Sequence, residues 1–188
     1  MRGNLYKLLT VIIMISVMAG CGLKDMTKTK ENVPVIPTLN EEAALMLRTE
    51  AIAKFYSVFH DGGEDSAELN DERIANDEYY YYFCDDLDSL EKINAALLPF
   101  FSKDIVSELV DWYPILEING KISYQPYDVG SMLNWNKAKG TLKKDQADVK
   151  VYEFIVPDID GVTETIEIEF VNINNSGWRI NTDPVKIL

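Results

Sequence analysis

Three short stretches, residues 60–61, 84–88 and 158–161, contain the residue types that most often do chemistry in proteins. His60 is the single histidine, it precedes Asp61, and Cys84 could join it as the pair that a cysteine peptidase uses. No local signature supports this pair, and the acids at 85 and 86 would disfavour the thiolate of an exposed Cys84. We therefore expect His60 to be a solvated residue at a helix end and Cys84 to be a buried, inert thiol.

The acids that follow Cys84 also suggest a second chemistry, the binding of Ca²⁺. Asp85, Asp86 and Asp88 supply oxygen ligands, but they lack the glycine and the distal glutamate of an EF-hand loop. N-capping of a helix by Asp86 or Asp88 explains the same residues. Residues 158–161 (Asp-Ile-Asp-Gly) are interpreted as a turn. With no phosphate-binding glycine loop either, we expect no metal, no other cofactor and no catalytic set.

The charge of the chain is strongly negative and unevenly distributed. Its 188 residues include 18 Lys and Arg against 31 Asp and Glu, a formal charge of −13, and residues 60–91 contain 12 of the acids and one base. Such a chain is not expected to bind nucleic acid, which requires clustered basic residues. The acidic segment is either a solvated loop that keeps the protein soluble or a docking surface for a basic partner.

A run of aromatic residues, 79–83, follows the acid-rich residues 61–78 and predicts a strand. Alternation places Tyr80 and Tyr82 on one face and Tyr79, Tyr81 and Phe83 on the other. Tyrosines beside charge are common anchors of interfaces, so either face could bind a partner while the other packs in the core. The candidate partner-binding residues are Glu64, Asp65, Glu68, Asp71, Glu72, Asp77, Glu78, Tyr80 and Tyr82.

The first 20 residues have the pattern of a bacterial lipoprotein signal peptide. A short basic segment precedes a 12-residue, mainly apolar run at 8–19, and residues 18–21 (Met-Ala-Gly-Cys) resemble the lipobox, in which the cysteine is acylated. An ordinary signal peptide and a single anchor helix are the alternatives. Acyl chains such as palmitate on Cys21 would hold the protein on the extracytoplasmic face of the cell membrane.

Beyond Cys21 we expect a flexible tether over 21–37 and a single domain over 38–188. Residues 38–41 (Thr-Leu-Asn-Glu) match a capping box that begins a helix over about 40–60, in which Arg48 and Thr49 interrupt the apolar stripe. Two further helices are predicted, one at the capping signature 88–91 and one after Ser102. The expected core residues of the three helices are Leu45, Ile52, Phe55, Tyr56, Phe59, Leu90, Ile93, Leu97, Ile105, Val106, Leu109, Val110 and Trp112.

Strands dominate the rest of the domain. Asn119-Gly120 between two short apolar runs predicts a β-hairpin of residues 115–124 with a type I′ turn. Further strands are predicted at 135–142, 148–156, 162–173 and 178–181, with a turn at 143–146. This pattern indicates an α+β fold in which N-terminal helices pack on a curved antiparallel sheet, with a general layout like that of cystatin or NTF2.

Four stretches resemble the IseA family, secreted inhibitors of cell-wall D,L-endopeptidases in Bacillus-type bacteria. They are AIAKFYSVF at 51–59, YFCDDLD at 82–88, GSMLNWNKAKGTL at 130–142 and NSGWRIN at 175–181, and they span nearly the whole domain. The resemblance implies a non-enzymatic protein that occludes the active-site groove of NlpC-type cysteine peptidases. The chain departs from the family in its lipobox and its larger acidic segment.

We therefore expect a monomeric, lipid-anchored inhibitor whose partners are the bacterial membrane and a cell-wall endopeptidase with a basic surface. The first alternative is an NTF2-like or cystatin-like lipoprotein with a small-molecule pocket between helices and sheet. The second is an envelope lipoprotein with no single partner. A large apolar cavity lined by Trp and Tyr would favour the pocket protein, whereas a filled core with an exposed acidic ridge would favour the inhibitor.

Overall fold

The structure, a computed structural model, describes residues 38–63, 73–75, 78–126, 130–174 and 176–188. All of these residues belong to one compact unit of the chain. None of the helices in these ranges is long and apolar enough to span a membrane. The signal segment, the tether with Cys21, and the acids Glu64, Asp65, Glu68, Asp71, Glu72 and Asp77 lie outside the described residues.

Three helices and eight strands make up the described domain. The helices are α1 (Glu41–Phe59), α2 (Leu90–Leu97) and α3 (Lys103–Trp112), and most of the strands follow them in the chain. Helices that precede a set of antiparallel strands define an α+β domain. The predicted fold class is confirmed.

The strands form two four-stranded antiparallel sheets rather than the one curved sheet that the sequence suggests. The first sheet has the order β1-β2-β4-β3, and the second has the order β5-β6-β7-β8. The second sheet is the predicted meander, whereas the first pairs strands from both sides of α2 and α3, which local patterns do not reveal. The strands are β1 (Arg73–Ala75), β2 (Glu78–Tyr82), β3 (Ile115–Ile118), β4 (Lys121–Tyr124), β5 (Lys139–Asp145), β6 (Val149–Pro157), β7 (Thr163–Asn172) and β8 (Trp178–Ile180).

The hairpin of β3 and β4 has the predicted register. Ile118 pairs with Lys121 across a two-residue turn, with φ of 54° at Asn119 and 78° at Gly120. Positive φ at both central residues gives a type I′ turn, whose twist matches that of the flanking strands. The hairpin prediction is confirmed because it depends only on local backbone preferences.

The N-terminus of α1 differs from the predicted capping box. The side chain of Asn40, rather than that of Thr38, accepts a hydrogen bond from the backbone N–H of Ala43 (2.8 Å). The carboxylate of Glu41 is used elsewhere, because its Oε1 accepts a hydrogen bond from the backbone N–H of Gly140 in β5 (2.7 Å). The assignment of the cap to Thr38 is therefore wrong, and Glu41 joins α1 to the second sheet instead.

Serine side chains begin the other two helices. Ser89 caps α2 by accepting from the backbone N–H of Lys92 (3.3 Å), so the interpretation of Asp86 or Asp88 as the cap is wrong. Asp88 instead forms an ion pair with the Lys92 ammonium group (2.8 Å). Ser102 caps α3 as predicted. Serine suits this position because its short side chain can fold back onto the unpaired N–H groups of the first turn.

The second sheet begins later in the chain than predicted. Trp135–Lys137 form a 3-10 helix, and the indole N–H of Trp135 donates to the backbone oxygen of Leu188 (2.9 Å). The strand β5 then continues to Asp145, into the predicted turn at 143–146, with an irregular register between Leu142 and Lys144. The contact between Trp135 and Leu188, which are 53 positions apart, cannot be inferred from strand periodicity.

The core joins the helices to the inner face of the second sheet. Alternate residues of β6 and β7 point inward, and Ile52, Phe55 and Phe59 of α1 are buried as predicted. The largest side chains of this core are each at most 2% exposed. These include Phe55, Phe59, Ile93, Leu97, Phe101, Tyr124, Phe154, Ile168, Phe170, Ile180 and Ile187.

Two residues that helical spacing assigns to the core are exposed. Leu90, the first residue of α2, is 47% exposed, and Trp112 at the end of α3 is 63% exposed. Tyr113 takes the buried position one turn after Leu109 and stacks on Phe59, with ring centroids 4.1 Å apart. The core predictions for Leu90 and Trp112 are therefore wrong.

Arg48 is buried although it interrupts the apolar stripe of α1. Only 6% of it is exposed, and its Nε donates to the carbonyl oxygen of Ile187 (2.8 Å). Its guanidinium carbon lies 3.9 Å from the ring centroid of Trp135. Burial lowers the pKa of Arg48 from 12.5 to about 10. Arg48 thus connects α1 to the C-terminal 3-10 helix, Pro184–Ile187.

Candidate functional site

The inner face of β2 contributes to the core. Tyr81 and Phe83 lie against Tyr124 of β4, with ring centroids 6.2 and 4.7 Å apart. Within β2 only Tyr81 and Tyr82 pair with β4, whereas the preceding residues pair with β1. The first half of β2 therefore extends past the part of the sheet that packs on the aromatic core.

The first two tyrosines of β2 differ in exposure. Tyr79 is 57% exposed, whereas Tyr80 is 3% exposed. The hydroxyl of Tyr80 lies 3.5 Å from Oε2 of the exposed Glu78, and burial, followed by this carboxylate, raises the pKa of Tyr80. A hydroxyl–carboxylate distance of this length is a weak hydrogen bond at most. Tyr79 therefore offers a partner more aromatic surface than Tyr80 does.

Tyr82 is half-buried and held by the turn between β3 and β4. Its hydroxyl accepts from the side-chain amide of Asn119 (3.3 Å), and the Lys121 ammonium nitrogen lies 5.2 Å from its ring centroid. A cation at this distance from an aromatic face is weakly attracted to it. The Asn-Gly turn thus fixes the orientation of one of the candidate binding residues.

The acidic segment begins at a tightly packed Gly62-Gly63 junction. Both glycines have positive φ, 72° and 137°, and a Cβ at Gly62 would overlap the ring of Tyr124. A Cβ at Gly63 would lie 2.7 Å from the Cβ of Cys84, and the backbone N–H of Cys84 donates to the carbonyl oxygen of Gly62 (2.9 Å). The junction holds Gly62 and Gly63 against the residues that follow β2. The sequence indicates only that these glycines end α1, whereas the structure shows that they also pack against Cys84.

Carboxylates from both sides of residues 64–77 lie at this junction. Asp61 precedes it in the chain, and a Cβ at Gly63 would lie 2.5 Å from Oδ1 of Asp86, which follows β2. Glu78 and Tyr79 lie at the other end of β2. Asp61 is close enough to Tyr124 to contribute, after burial and Cys84, to a raised pKa of that tyrosine. The fold therefore brings Asp61 and Asp86, which are separated by the acidic segment, to one junction.

His60 is paired with the neighbouring Asp61. The Nδ1 atom of His60 lies 2.7 Å from Oδ1 of Asp61, and both side chains are about half exposed, at 46% and 48%. The prediction of a solvated histidine at a helix end is confirmed. Cys84 forms no disulfide and is half-buried rather than fully buried as expected.

In the described part of the chain, no group of three or more His, Cys, Asp or Glu side chains is placed to hold a metal ion. The sequence Asp158–Gly161 forms a turn, as interpreted. Oδ1 of Asp158 accepts from the backbone N–H groups of Asp160 (2.9 Å) and Val162 (2.8 Å), and Gly161 has φ of 85°. This carboxylate is thus engaged in backbone hydrogen bonds that define the turn.

Comparison with known proteins identifies the family. The family described as IseA DL-endopeptidase inhibitor matches residues 35–184, which is nearly the whole domain. The chain belongs to this family. The chain is also 30% identical over 103 residues to a Bacillus subtilis (strain 168) protein named "Uncharacterized protein YoeB". That match covers 54% of this chain and 56% of the relative, so it spans little more than half of either protein.

Membership of the IseA family points to endopeptidase inhibition in general, and therefore to a protein partner. Inhibition needs a complementary surface rather than a catalytic set, and hot spots of such surfaces are rich in aromatic residues. We name the exposed Tyr79 and the carboxylates of Asp61, Glu78, Asp85 and Asp86 the acidic tyrosine surface. Tyr82 lies on the opposite face of β2 from Tyr79, and the acids of residues 64–77 lie outside the described residues.

Proposed function

We propose that this protein inhibits cell-wall D,L-endopeptidases of the NlpC cysteine-peptidase type by blocking their active-site groove. The observation that carries the proposal is the family match over residues 35–184. The mechanism is steric, because an inhibitor that fills a groove needs no reactive group of its own.

The acidic tyrosine surface is the part of the molecule that we propose makes first contact. Its charge attracts a basic peptidase over a distance of about a Debye length, which accelerates encounter and favours the correct orientation. Tyr79 then supplies buried aromatic area once the two proteins meet. The Gly62-Gly63 junction supports this role, because it fixes the position of the residues that directly precede the acidic segment.

The inhibition can be tested directly. The full chain, purified in a mild non-ionic detergent, is titrated into D,L-endopeptidases that digest purified cell walls, and the release of stem-peptide fragments is measured. We expect saturable inhibition at micromolar concentrations or below. If several such enzymes keep full activity at micromolar protein, the proposed function is wrong.

Charge-matched variants can locate the inhibitory surface. Conversion of five acids of the segment to their amides should weaken inhibition about tenfold, because electrostatic attraction to the enzyme is lost. The same number of exposed acids elsewhere provides the control, which should inhibit normally. The variant carries Glu64→Gln, Asp65→Asn, Glu68→Gln, Asp71→Asn and Glu72→Gln, and the control carries Glu42→Gln, Asp148→Asn, Asp160→Asn, Glu164→Gln and Glu167→Gln. Equal weakening in both proteins would argue against docking through the segment.

We also propose that Cys21 is acylated and anchors the domain on the extracytoplasmic face of the membrane. The proposal is supported by the basic segment, the 12-residue apolar run at 8–19 and the lipobox-like residues 18–21. Cells fed an alkyne analogue of palmitate should label the natural protein but not a Cys21→Ala variant, and the variant should leave the membrane fraction. Labelling of the Cys21→Ala variant would show that the acylation site is elsewhere.

The structure does not favour the alternative of a small-molecule pocket between helices and sheet. The space between α1 and the second sheet is occupied by Phe55, Phe154, Ile168 and Phe170, each at most 1% exposed. A cavity does occur in the described domain, but it lies between α3 and the C-terminal 3-10 helix.

A further inference from the structure

A groove of about 530 Å³ lies between α3 and the C-terminal 3-10 helix, Pro184–Ile187. Ile105 and Leu109, at 9% and 5% exposure, and the buried Pro184 give it an apolar floor. Trp112 stands at the rim with 63% of its surface exposed. The groove therefore combines a narrow apolar base with an accessible aromatic ring.

Three carboxylates line the same groove. Glu108 and Asp111 come from the exposed side of α3, and Asp183 comes from the start of the 3-10 helix. Asp183 uses one oxygen to accept from the backbone N–H of Val185 (3.0 Å). Among the described residues these three carboxylates form no ion pair, and no residue that lines the groove is positively charged.

The position of the groove also favours a cation. Asp111 and Trp112 are the last residues of α3, where the unpaired carbonyl groups give a helix a partial negative charge. A second copy of this protein is a poor occupant, because each chain has a net charge of −13. A purely apolar ligand would leave the three carboxylates without a partner.

We propose that this groove binds an arginine or lysine side chain of a protein partner. The aliphatic part of the side chain packs on Ile105, Leu109 and Pro184, and the charged end lies between the Trp112 ring and the carboxylates. Arginine is the better occupant, because its planar guanidinium group can stack on the indole and donate to two carboxylates together. The choice of a protein over a free cation rests on the proposed function, in which the partner is a peptidase.

The test uses two short peptides that differ by one charge. The full chain, ¹⁵N-labelled and held in mild detergent, is titrated with acetyl-Gly-Arg-Gly-amide and with the matched citrulline peptide, which is isosteric but neutral. NMR follows the Trp112 indole N–H and the Val185 backbone N–H. We expect saturable shifts at both signals with the arginine peptide, and binding at least about tenfold weaker with the citrulline peptide.

Substitutions then assign the binding to the groove. Trp112→Ala should weaken the arginine peptide about tenfold, as read from the Val185 signal, and Asp111→Asn should weaken it several-fold. Both side chains are exposed, so neither change should disturb folding. Asp104→Asn removes an exposed acid of the same helix that does not line the groove, and this control should bind like the natural chain.

Three results would overturn the proposal. They are equal binding of the two peptides, no shift at either signal, and tighter binding of free L-arginine than of the peptide, which would indicate a small-molecule site. The peptide titration is independent of the inhibition assay. Selective peptide binding by a protein that inhibits no endopeptidase would overturn the proposed function while still supporting a cation site in the groove.

Discussion

Single side chains hold together parts of this protein that are far apart in sequence, and Arg48 is the clearest case. It lies 139 positions from Ile187, whose carbonyl oxygen accepts from its guanidinium group, and it stacks on Trp135. A charged residue in an apolar stripe is normally interpreted as solvent-exposed. Here its burial is offset by the hydrogen bonds and by the aromatic face, and neither partner can be recognised from the sequence.

The substitution Arg48→Met should lower the free energy of unfolding by about 2–4 kcal/mol, because it leaves a buried carbonyl oxygen without a donor. Urea denaturation followed by circular dichroism measures the change. Glu50→Met, an exposed position on the same helix, is the control and should alter stability by no more than about 0.5 kcal/mol. Equal effects of the two substitutions would contradict a structural role for Arg48.

Tyr124 should make the protein sensitive to alkaline pH. Burial, then Cys84 and Asp61, raise its pKa above the ordinary value of 10.0. A group whose pKa is higher in the folded state stabilises the fold fully below its unfolded pKa, and this contribution is lost as pH rises through the folded value. Stability should therefore fall above about pH 10, and Tyr124→Phe should reduce that fall.

The measurement is urea denaturation at several pH values from 8 to 11, with tyrosinate absorbance at 295 nm recorded alongside. Tyr79→Phe serves as the control, because Tyr79 is exposed and its substitution should leave the alkaline loss unchanged. The same pH dependence in natural protein and in Tyr124→Phe would show that Tyr124 is not responsible.

At the scale of the elements, local sequence signals predict starts and turns better than they predict which face is buried. The β3–β4 hairpin and the Ser102 cap match the prediction because each depends on neighbouring residues alone. The burial of Tyr113 rather than Trp112 depends on Phe59, which lies in another helix. Helical spacing allows either residue to follow Leu109 inward, so only packing decides between them.

The Gly62-Gly63 junction gives a prediction at this scale. Gly62 and Gly120 have similar φ, 72° and 78°, but a Cβ would overlap Tyr124 only at Gly62, whereas Gly120 has no atom within 4 Å. Gly120→Ala should cost about 1 kcal/mol of stability through backbone strain alone, and Gly62→Ala should cost at least about 1–3 kcal/mol more. Chemical denaturation of both variants provides the comparison. Similar losses would show that the close approach to Tyr124 is relaxed without cost.

For the whole molecule, the distribution of charge is the property most closely tied to the proposed function. Residues 60–91 contain 12 of the 31 acids, and the fold places two of them, Asp61 and Asp86, at the Gly62-Gly63 junction. A concentrated field of this kind affects the rate of encounter with a basic partner more than the lifetime of the complex.

Association with a target endopeptidase should therefore slow at high salt. Raising NaCl from 50 to 500 mM should lower the association rate constant about tenfold or more and change the dissociation rate constant little. Stopped-flow measurements with an inactivated endopeptidase would show this. Under the same conditions, the five-amide variant of the acidic segment should have a slow association rate with little dependence on salt. A salt-independent rate for the natural protein would exclude electrostatic steering.

The sequence by itself determined the α+β class, the hairpin and most helix and strand positions, because these depend on periodicity, capping and turn residues that act over a few positions. The resemblance to the IseA family was also visible in the sequence, in four stretches of similar residues. It also located the acidic segment. The tertiary structure alone decided that the strands divide into two sheets, that Arg48 is buried and Trp112 exposed, and that Glu108, Asp111 and Asp183 share one groove. These features arise from contacts between residues far apart in the chain, and such contacts depend on how the elements pack rather than on any local pattern.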